Sequence, residues 1–311
     1  MKKLVLSSLA VALMFGFYSC SKQSPKISGT NNLGVNNTNT TAPPATNIFG
    51  DMPTDFTKKA VIEEVTGAWC GYCPNGAYHI QQSCDANPER VYGVAIHTGD
   101  VMSDLYDNYT KSAPDDLASQ YSFSGVPAGV VNRRKSTDNY NVWESETAAE
   151  INKPAECGLA IATKKVQDQT YSIEVHAGFN TTLTGEYYVV AYILEDEVHK
   201  GSAYDQHNYM DADASSPWYQ KGDPMSSTDY KHNHLLRQII FKPGLWGTAI
   251  PGNYLKAGGE FAIKEEVDMS TEYDLTKVSV LAMVVKKGAT PDEDYVMNVQ
   301  ECKLGSIKKW D

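Results

Sequence analysis

The sequence is poor in positive charge. Lys and Arg number 27 against 38 Asp and Glu in 311 residues, so the formal net charge is -11 at pH 7 and the pI is near 5.1. A chain of this charge lacks the basic surface that attracts nucleic acids and anionic lipid headgroups, and we expect neither as a partner. The sequence also lacks an internal repeat, a glycine-rich phosphate-binding loop and a coiled-coil heptad run.

Long apolar runs are absent apart from one near the start of the chain. Residues 4–17 are apolar and follow two lysines. This run is too short to span a membrane but is typical of a secretory leader. Cys20 then lies where a lipoprotein signal would be cleaved. We predict a signal peptide over residues 1–19, lipidation of Cys20 and attachment to the cell envelope; a secreted protein with a free Cys20 is the alternative.

Residues 20–57 contain too few apolar side chains to form a core. They are rich in Asn, Thr, Ser and Pro, a composition typical of flexible segments. We predict a stalk that lets the following domains reach partners away from the membrane surface. The remaining residues are enough for two domains of ordinary size, which we place at residues 58–155 and 156–311.

Cysteine is scarce, with six residues, and two of them form the most informative motif. Cys70 and Cys73 lie between a predicted strand, residues 59–62, and a predicted helix, residues 74–84. At a helix N-terminus the unpaired N–H groups and the dipole favour the thiolate and lower a thiol pKa from about 8.5 to about 7 or below. Cys70 would then attack a disulfide, and Cys73, one turn deeper, would resolve the mixed disulfide.

This pair has two other interpretations, half of a zinc site and an inert structural disulfide. A structural zinc site needs a second Cys or His pair. The sequence offers none at a comparable spacing, so no metal and no cofactor are predicted. The structural disulfide stays open as an alternative.

Two further positions favour redox exchange. Strand alternation turns Glu64 inward, whereas Glu63 should face outward or toward a seam. A buried carboxyl has a raised pKa and could accept the proton of Cys73; a solvated acid at a strand end is the alternative. Pro127 is bounded by glycines and precedes an apolar run, which predicts a tight turn into a strand, where a proline can be cis.

Residues 58 to about 153 resemble a thioredoxin fold. The resemblance rests on the run 69–74, on Glu64 at the place of the buried acid, and on Val126 and Pro127 at the place of the cis-proline turn. Gly71 and Tyr72 are similar to disulfide isomerases and Val126 to disulfide-generating oxidases, which leaves the redox direction open. The resemblance to the thioredoxin fold implies catalysis for Cys70, Cys73 and Glu64, and binding of a partner peptide for Trp69, Val126 and Pro127.

The mature chain also resembles the twenty-eight-kilodalton outer-membrane lipoprotein family of Bacteroidetes. The residues behind this resemblance are 61–67, the cysteine pair and 232–237. It implies a thioredoxin-like lipoprotein of the outer membrane with a second, β-rich domain. Whether the protein faces the periplasm or the exterior is left open.

The first domain departs from the thioredoxin pattern in one place. After a predicted strand at 128–133, the usual partner strand of a hairpin is hard to find before a predicted helix at 142–151. Either the hairpin is reduced or another segment completes the sheet. Residues 100–122 predict a helical segment that Pro114 interrupts.

The second domain shows the period of two that is typical of strands. Residues 171–179 alternate between apolar and polar side chains, as a sheet with one buried and one wet face requires. Further strands are predicted at 159–166, 187–194, 235–241, 261–267, 277–285 and 295–302. The predicted fold class is therefore an α/β thioredoxin-like domain followed by an all-β antiparallel sandwich domain. Cys157 and Cys302 open the first strand and close the last, and we predict a structural disulfide between them.

The long segment 201–231 is polar and carries several aspartates. Carboxylates on a long loop can hold calcium, but the spacing lacks the glycine and the distal Glu of an EF-hand. We interpret the segment as a solvated loop, and the histidines at 232 and 234 as ordinary hydrogen-bonding residues.

Two hypotheses of function follow. In the first, the chain is an envelope thiol–disulfide oxidoreductase or isomerase whose partners are exported proteins with thiols or disulfides and an unknown redox partner. In the second, it is a non-catalytic outer-membrane or surface lipoprotein that uses both domains as a binding scaffold. The hypotheses differ in whether Cys70 reacts with a partner.

Overall fold

The computed structural model describes residues 48–137, 139–241 and 244–311. The predicted signal peptide, Cys20 and most of the predicted stalk lie outside these residues. Residues 48–57 fall within the predicted stalk, whose boundary at 57 stays a prediction, and they contact later parts of the chain. Phe49 is buried against Ala160 and Ala162, and the Thr57 N–H donates to the Asp311 carbonyl at 3.0 Å.

The described residues contain three α-helices and thirteen strands. The helices are α1 Cys73–Ala86, α2 Ala113–Tyr121 and α3 Trp143–Ile151. The strands are β1 Ala60–Thr66, β2 Val91–His97, β3 Ala128–Val131, β4 Lys135–Thr137, β5 Cys157–Gln167, β6 Thr170–Phe179, β7 Glu186–Glu195, β8 Leu235–Ile240, β9 Thr248–Ala249, β10 Glu260–Asp268, β11 Val278–Lys287, β12 Tyr295–Lys303 and β13 Ile307–Lys308.

Nine strands form one mixed sheet in the order β12-β11-β7-β8-β2-β1-β3-β4, with β9 paired to β7. The strand β1 is parallel to β2 and antiparallel to β3. The strand β8 joins β2 in parallel through Ala95 and Leu235. The predicted division at residue 155 stays a prediction, but hydrogen bonds of one sheet link strands from both sides of it.

A second sheet is antiparallel, in the order β10-β6-β5-β13. Its apolar side chains share a core with β7, β11 and β12. The strand β6 is buried on both faces, whereas alternation predicted one wet face. The second face is covered because Phe49 packs on His176 with ring centroids 4.6 Å apart, and Met52 and Trp310 lie over Gly178.

One local prediction in the first part of the chain needs correction. Pro114 lies in the first turn of α2 and does not interrupt a helix, because a proline at this position loses no intrahelical hydrogen bond. Of the two alternatives for the hairpin, the structure shows the reduced one, in which β4 pairs with β3 over three residues. A strand this short has too little alternation to be detected in the sequence.

The predicted disulfide between Cys157 and Cys302 is wrong, since both are free, buried thiols. The Asn298 side chain donates to the Cys157 carbonyl at 2.8 Å, so Cys157 lies opposite Asn298. Cys302 is four residues further along β12, about 13 Å away at the usual strand rise, and a disulfide needs Cα atoms within about 7 Å. Burial raises the pKa of Cys157 to about 12.

No helix within the described ranges is both long and apolar enough to cross a membrane.

Candidate functional site

The two cysteines of the motif are joined by a disulfide where the chain leaves β1 and enters α1. Cys73 is the first residue of α1, and its N–H donates to the Cys70 carbonyl at 3.1 Å. Both residues are buried, with 5% exposure for Cys70 and 1% for Cys73. Cys70 thus lies at the N-terminal end of a helix of 14 residues, where unpaired N–H groups stabilise negative charge on sulfur.

The turn before β3 meets this disulfide. The peptide bond between Val126 and Pro127 is cis, and the Sγ of Cys70 lies 3.5 Å from the Val126 carbonyl oxygen. The Pro127 ring also lies beside α1, since its Cβ would be 3.1 Å from a Cβ placed on Gly76. The structure therefore brings together Cys70, Cys73, Val126 and Pro127, which are 50 or so residues apart in the chain.

Glu64 belongs to β1, and its side chain points toward Gly76 of α1, close to the same turn. Its side chain is buried, and neither carboxyl oxygen has a hydrogen-bond partner among the described residues. Burial without a partner raises the pKa of Glu64 well above its ordinary value. A Cβ on Gly76 would lie 1.9 Å from Glu64 Oε1, so the absence of a side chain at Gly76 makes room for the carboxyl.

The neighbouring Glu63 is buried as well, so of the two expected orientations, outward or toward a seam, the outward one is wrong. Arg133 donates to its two carboxyl oxygens at 2.7 and 2.8 Å, and the Tyr192 hydroxyl donates at 2.8 Å. This face of β1 is covered because strands from the later part of the chain extend the sheet, so Tyr192 on β7 reaches Glu63. No pattern in the sequence indicates this ion pair, whose members are 70 residues apart.

Aromatic side chains surround the cysteine loop on its exposed side. Trp69 is 49% exposed and donates from its indole N–H to the Thr98 carbonyl at 2.7 Å. Tyr72 and Tyr209 are 55% and 61% exposed, and their rings meet edge to face with centroids 5.4 Å apart. Of these residues, sequence reasoning identified Trp69 and missed Tyr209.

Part of the segment 201–231 packs directly on the cysteine loop, which corrects its interpretation as a solvated loop. The His207 N–H donates to the Ala68 carbonyl at 2.8 Å, and the Tyr209 N–H donates to the Gly71 carbonyl at 2.9 Å. The Gln206 side-chain amide donates to the Cys70 carbonyl at 2.9 Å. We call residues 206–209 the cover segment, because they satisfy backbone acceptors of the loop that carries the disulfide.

Contacts inside the long segment hold the cover segment in place. Gln206 and Met225 exchange backbone hydrogen bonds of 3.0 and 2.7 Å. The His207 ring pairs with Asp223 at 2.9 Å, and Asn208 donates its side-chain amide to the Trp218 carbonyl at 2.9 Å. The aspartates that could have bound calcium include residues engaged in such contacts, and no group of three acidic, His or Cys side chains in the described part of the chain could hold a metal.

Solved structures with a similar fold come from two bacteria. HBP35 of Porphyromonas gingivalis has a TM-score of 0.64 and 19% sequence identity, and the match covers 82% of this chain and 77% of that one. A protein of Agrobacterium tumefaciens has a TM-score of 0.50 and 13% identity, covering 80% of this chain and 96% of that one. At these identities the likeness concerns the fold alone. Among curated proteins no sequence matches.

One family profile matches this sequence, that of outer membrane protein Omp28, over residues 114–308. The matched range is more than half of the chain and begins after the cysteine pair, so it does not bear on the chemistry of Cys70 and Cys73. The family description agrees with a location in the cell envelope. The chain belongs to the Omp28 family of outer membrane proteins.

Proposed function

We propose that this chain is an envelope thiol–disulfide oxidoreductase or isomerase that exchanges disulfides with exported proteins through Cys70 and Cys73. The observation that carries the proposal is the approach of Cys70 Sγ, at the start of α1, to the Val126 carbonyl of the cis-proline turn, 3.5 Å away. We further propose that residues 58–155 are thioredoxin-like and that residues 156–311 form a sandwich, in which the antiparallel sheet packs on the strands β7, β11 and β12 of the mixed sheet.

In the direction that reduces a substrate disulfide, the reaction starts from the reduced pair of Cys70 and Cys73. The Cys70 thiolate attacks one sulfur of a substrate disulfide, and the other substrate sulfur leaves as a thiolate that takes up a proton. Cys73 then attacks Cys70 Sγ, which releases the second substrate thiolate and leaves Cys70 and Cys73 oxidised. Two electrons pass from the pair to the substrate. The reverse sequence oxidises a substrate dithiol.

Glu64 is the group that we propose takes the proton of Cys73. Both side chains are buried at the start of α1, and a base near neutral pH needs the raised pKa that burial gives this carboxyl. Trp69 and the turn at Val126 and Pro127 would hold the substrate peptide beside Cys70.

A non-catalytic binding scaffold is the second candidate, and one observation favours it. Cys70 is only 5% exposed, and the cover segment binds the carbonyls on one side of its loop. A partner would then contact the exposed aromatic side chains, and the disulfide would serve stability alone.

A trapping experiment separates these functions. In a Cys73→Ser variant the mixed disulfide between Cys70 and a substrate cannot be resolved, so exported proteins should be recovered covalently bound and released by reductant. Cys70→Ser is the matched control and should trap none. Equal, reductant-insensitive recovery of partners by both variants would instead identify the binding scaffold.

The lipid anchor is also proposed. Cys20 would carry the lipid that attaches the protein to the outer membrane. Labelling of cells with a fatty acid should mark the chain, and Cys20→Ala should remove the label.

A further inference from the structure

A cavity of about 360 Å³ is lined in part by Glu64. This volume lies within the range of small-molecule sites. Its floor is formed by the buried residues Glu64, Ile80 and Ala95. Exposed residues of the later part of the chain, Asp229 and Lys231, stand at its mouth.

Three of the lining residues carry polar atoms without a partner in the described part of the chain. They are both carboxyl oxygens of Glu64, the indole N–H of Trp218 and Nε2 of His234. Glu64 is only 1% exposed, and thus 99% buried. Buried polar groups in proteins are nearly always hydrogen-bonded, and three such residues around one cavity indicate a ligand that supplies the missing partners.

The charges of the lining identify which kind of ligand fits. Lys231 does not reach Glu64 as a partner, because it pairs with Glu197 at 3.4 Å. The His234 ring faces Asp196 with Nδ1 3.6 Å from a carboxyl oxygen. Glu64 is therefore a carboxyl without a cation. The walls contributed by Trp218 and Tyr230 are aromatic, and aromatic faces attract cations.

We propose that this cavity binds a small primary amine with an aromatic body. Its ammonium would pair with the Glu64 carboxylate, its ring would pack on Trp218 and Tyr230, and an acceptor on the ring would receive the indole N–H of Trp218. The inference does not rest on the redox proposal, since binding needs neither thiol.

Binding should release a proton. Burial raises the pKa of Glu64 because it disfavours the charged form, whereas a bound ammonium stabilises the carboxylate and lowers that pKa. The titratable groups that share the cavity with Glu64 are Tyr78, Glu197, Asp229, Tyr230, Lys231 and His234. Replacing Glu64 alone tests whether Glu64, and not one of these other groups, loses the proton on binding.

The test is titration calorimetry of the oxidised full chain with tyramine and with 4-ethylphenol, which has the same ring and hydroxyl without the ammonium. Tyramine should bind at least about tenfold more tightly, as a charged hydrogen bond in a buried site implies. Buffers of different ionisation enthalpy should report about one proton released per complex. Glu64→Gln should abolish both effects, and Trp218→Phe should weaken tyramine binding severalfold.

Glu265→Gln is the control, because Glu265 is an exposed Glu whose pKa is also raised and it does not line the cavity; the substitution should leave binding unchanged. Equal affinity for the two compounds, undiminished tyramine binding by Glu64→Gln, or no heat from either compound at millimolar concentration would each overturn the proposal. Because the oxidised chain is used, failure here leaves the trapping result of Cys73→Ser standing, and the reverse holds too.

Discussion

Gln206 donates its side-chain amide to the backbone carbonyl of Cys70 across 2.9 Å, from 136 residues away in the chain. The same nitrogen lies 3.2 Å from the Ala68 carbonyl. A loop between a strand and a helix usually leaves such carbonyls to water. Here one buried amide holds them, so the conformation of the disulfide loop depends on the later part of the chain.

Gln206→Ala should loosen the disulfide loop. The substitution removes the side-chain donor that the Ala68 and Cys70 carbonyls share and leaves each with its backbone donor alone, at a cost of about 0.5–1.5 kcal/mol in unfolding free energy. We expect reduction of the disulfide by dithiothreitol to become severalfold faster, measured by thiol labelling over time. Gln81→Ala is the control, since Gln81 pairs on the surface with Asp85. Equal reduction rates in all three proteins would contradict a role for Gln206 in closing the loop.

The reduction potential of the cysteine pair should lie between about -120 and -270 mV, the range of proteins that exchange disulfides. Values above about -230 mV would indicate an oxidant or isomerase, and values near -270 mV a reductase. Equilibration of the full chain against glutathione buffers measures it. A pair that stays oxidised below about -300 mV would contradict redox exchange and support the binding scaffold.

Glu64→Gln should stabilise the protein increasingly as the pH rises. The carboxyl has an ordinary pKa of 4.5 when unfolded and a raised pKa when folded. Between these values the folded state binds more protons than the unfolded state, so wild-type stability falls with rising pH, by up to about 1.4 kcal/mol per pH unit. Glutamine does not titrate. Urea unfolding should therefore show a gain for the variant that is small at pH 4.5 and larger at pH 8.

The surface substitution Glu186→Gln provides the control for this measurement, because Glu186 is exposed. Its effect on stability should show no comparable growth with pH. If the gain of Glu64→Gln were the same at pH 4.5 and pH 8, Glu64 would not be a neutral carboxyl in the folded protein.

Gly76→Ala should destabilise the protein although alanine favours helices. The new Cβ would lie 1.9 Å from Glu64 Oε1, and overpacking of this kind costs about 1–3 kcal/mol. In a Glu64→Ala background the same substitution should cost much less, because the carboxyl is gone and only the contact with the Pro127 Cβ at 3.1 Å remains. Gly125→Ala is the control, since a Cβ there meets nothing within 4 Å. Thermal unfolding of the four variants measures the coupling, and additive effects would contradict it.

The sequence predicts those parts of the molecule in which local pattern decides the structure. The strand β1 and the helix α1 follow from apolar spacing, and the inward side of Glu64 follows from strand alternation. The cis peptide at Pro127 lies where the glycines around it predicted a tight turn. The roles of these residues stay predictions.

The parts that the sequence does not predict depend on partners distant in the chain. Gln206 donates to the backbone carbonyl of Cys70, and Glu63 forms an ion pair with the distant Arg133. Neither kind of contact leaves a periodic signal in the sequence. Phe49 lies in a segment of polar composition, so its single buried ring did not reveal that the segment folds.

The shared sheet affects how this protein can be dissected. The Ala95 N–H on β2 donates to the His234 carbonyl at 2.8 Å, and β8 follows along the same edge. A fragment ending at residue 155 would leave β2 as an open edge strand, with apolar side chains that Leu236 and Ile239 now cover. Such an edge invites pairing with other chains. The disulfide loop therefore cannot be transferred to another protein by itself. A fusion protein that retains the loop must include the chain through β8 and β12.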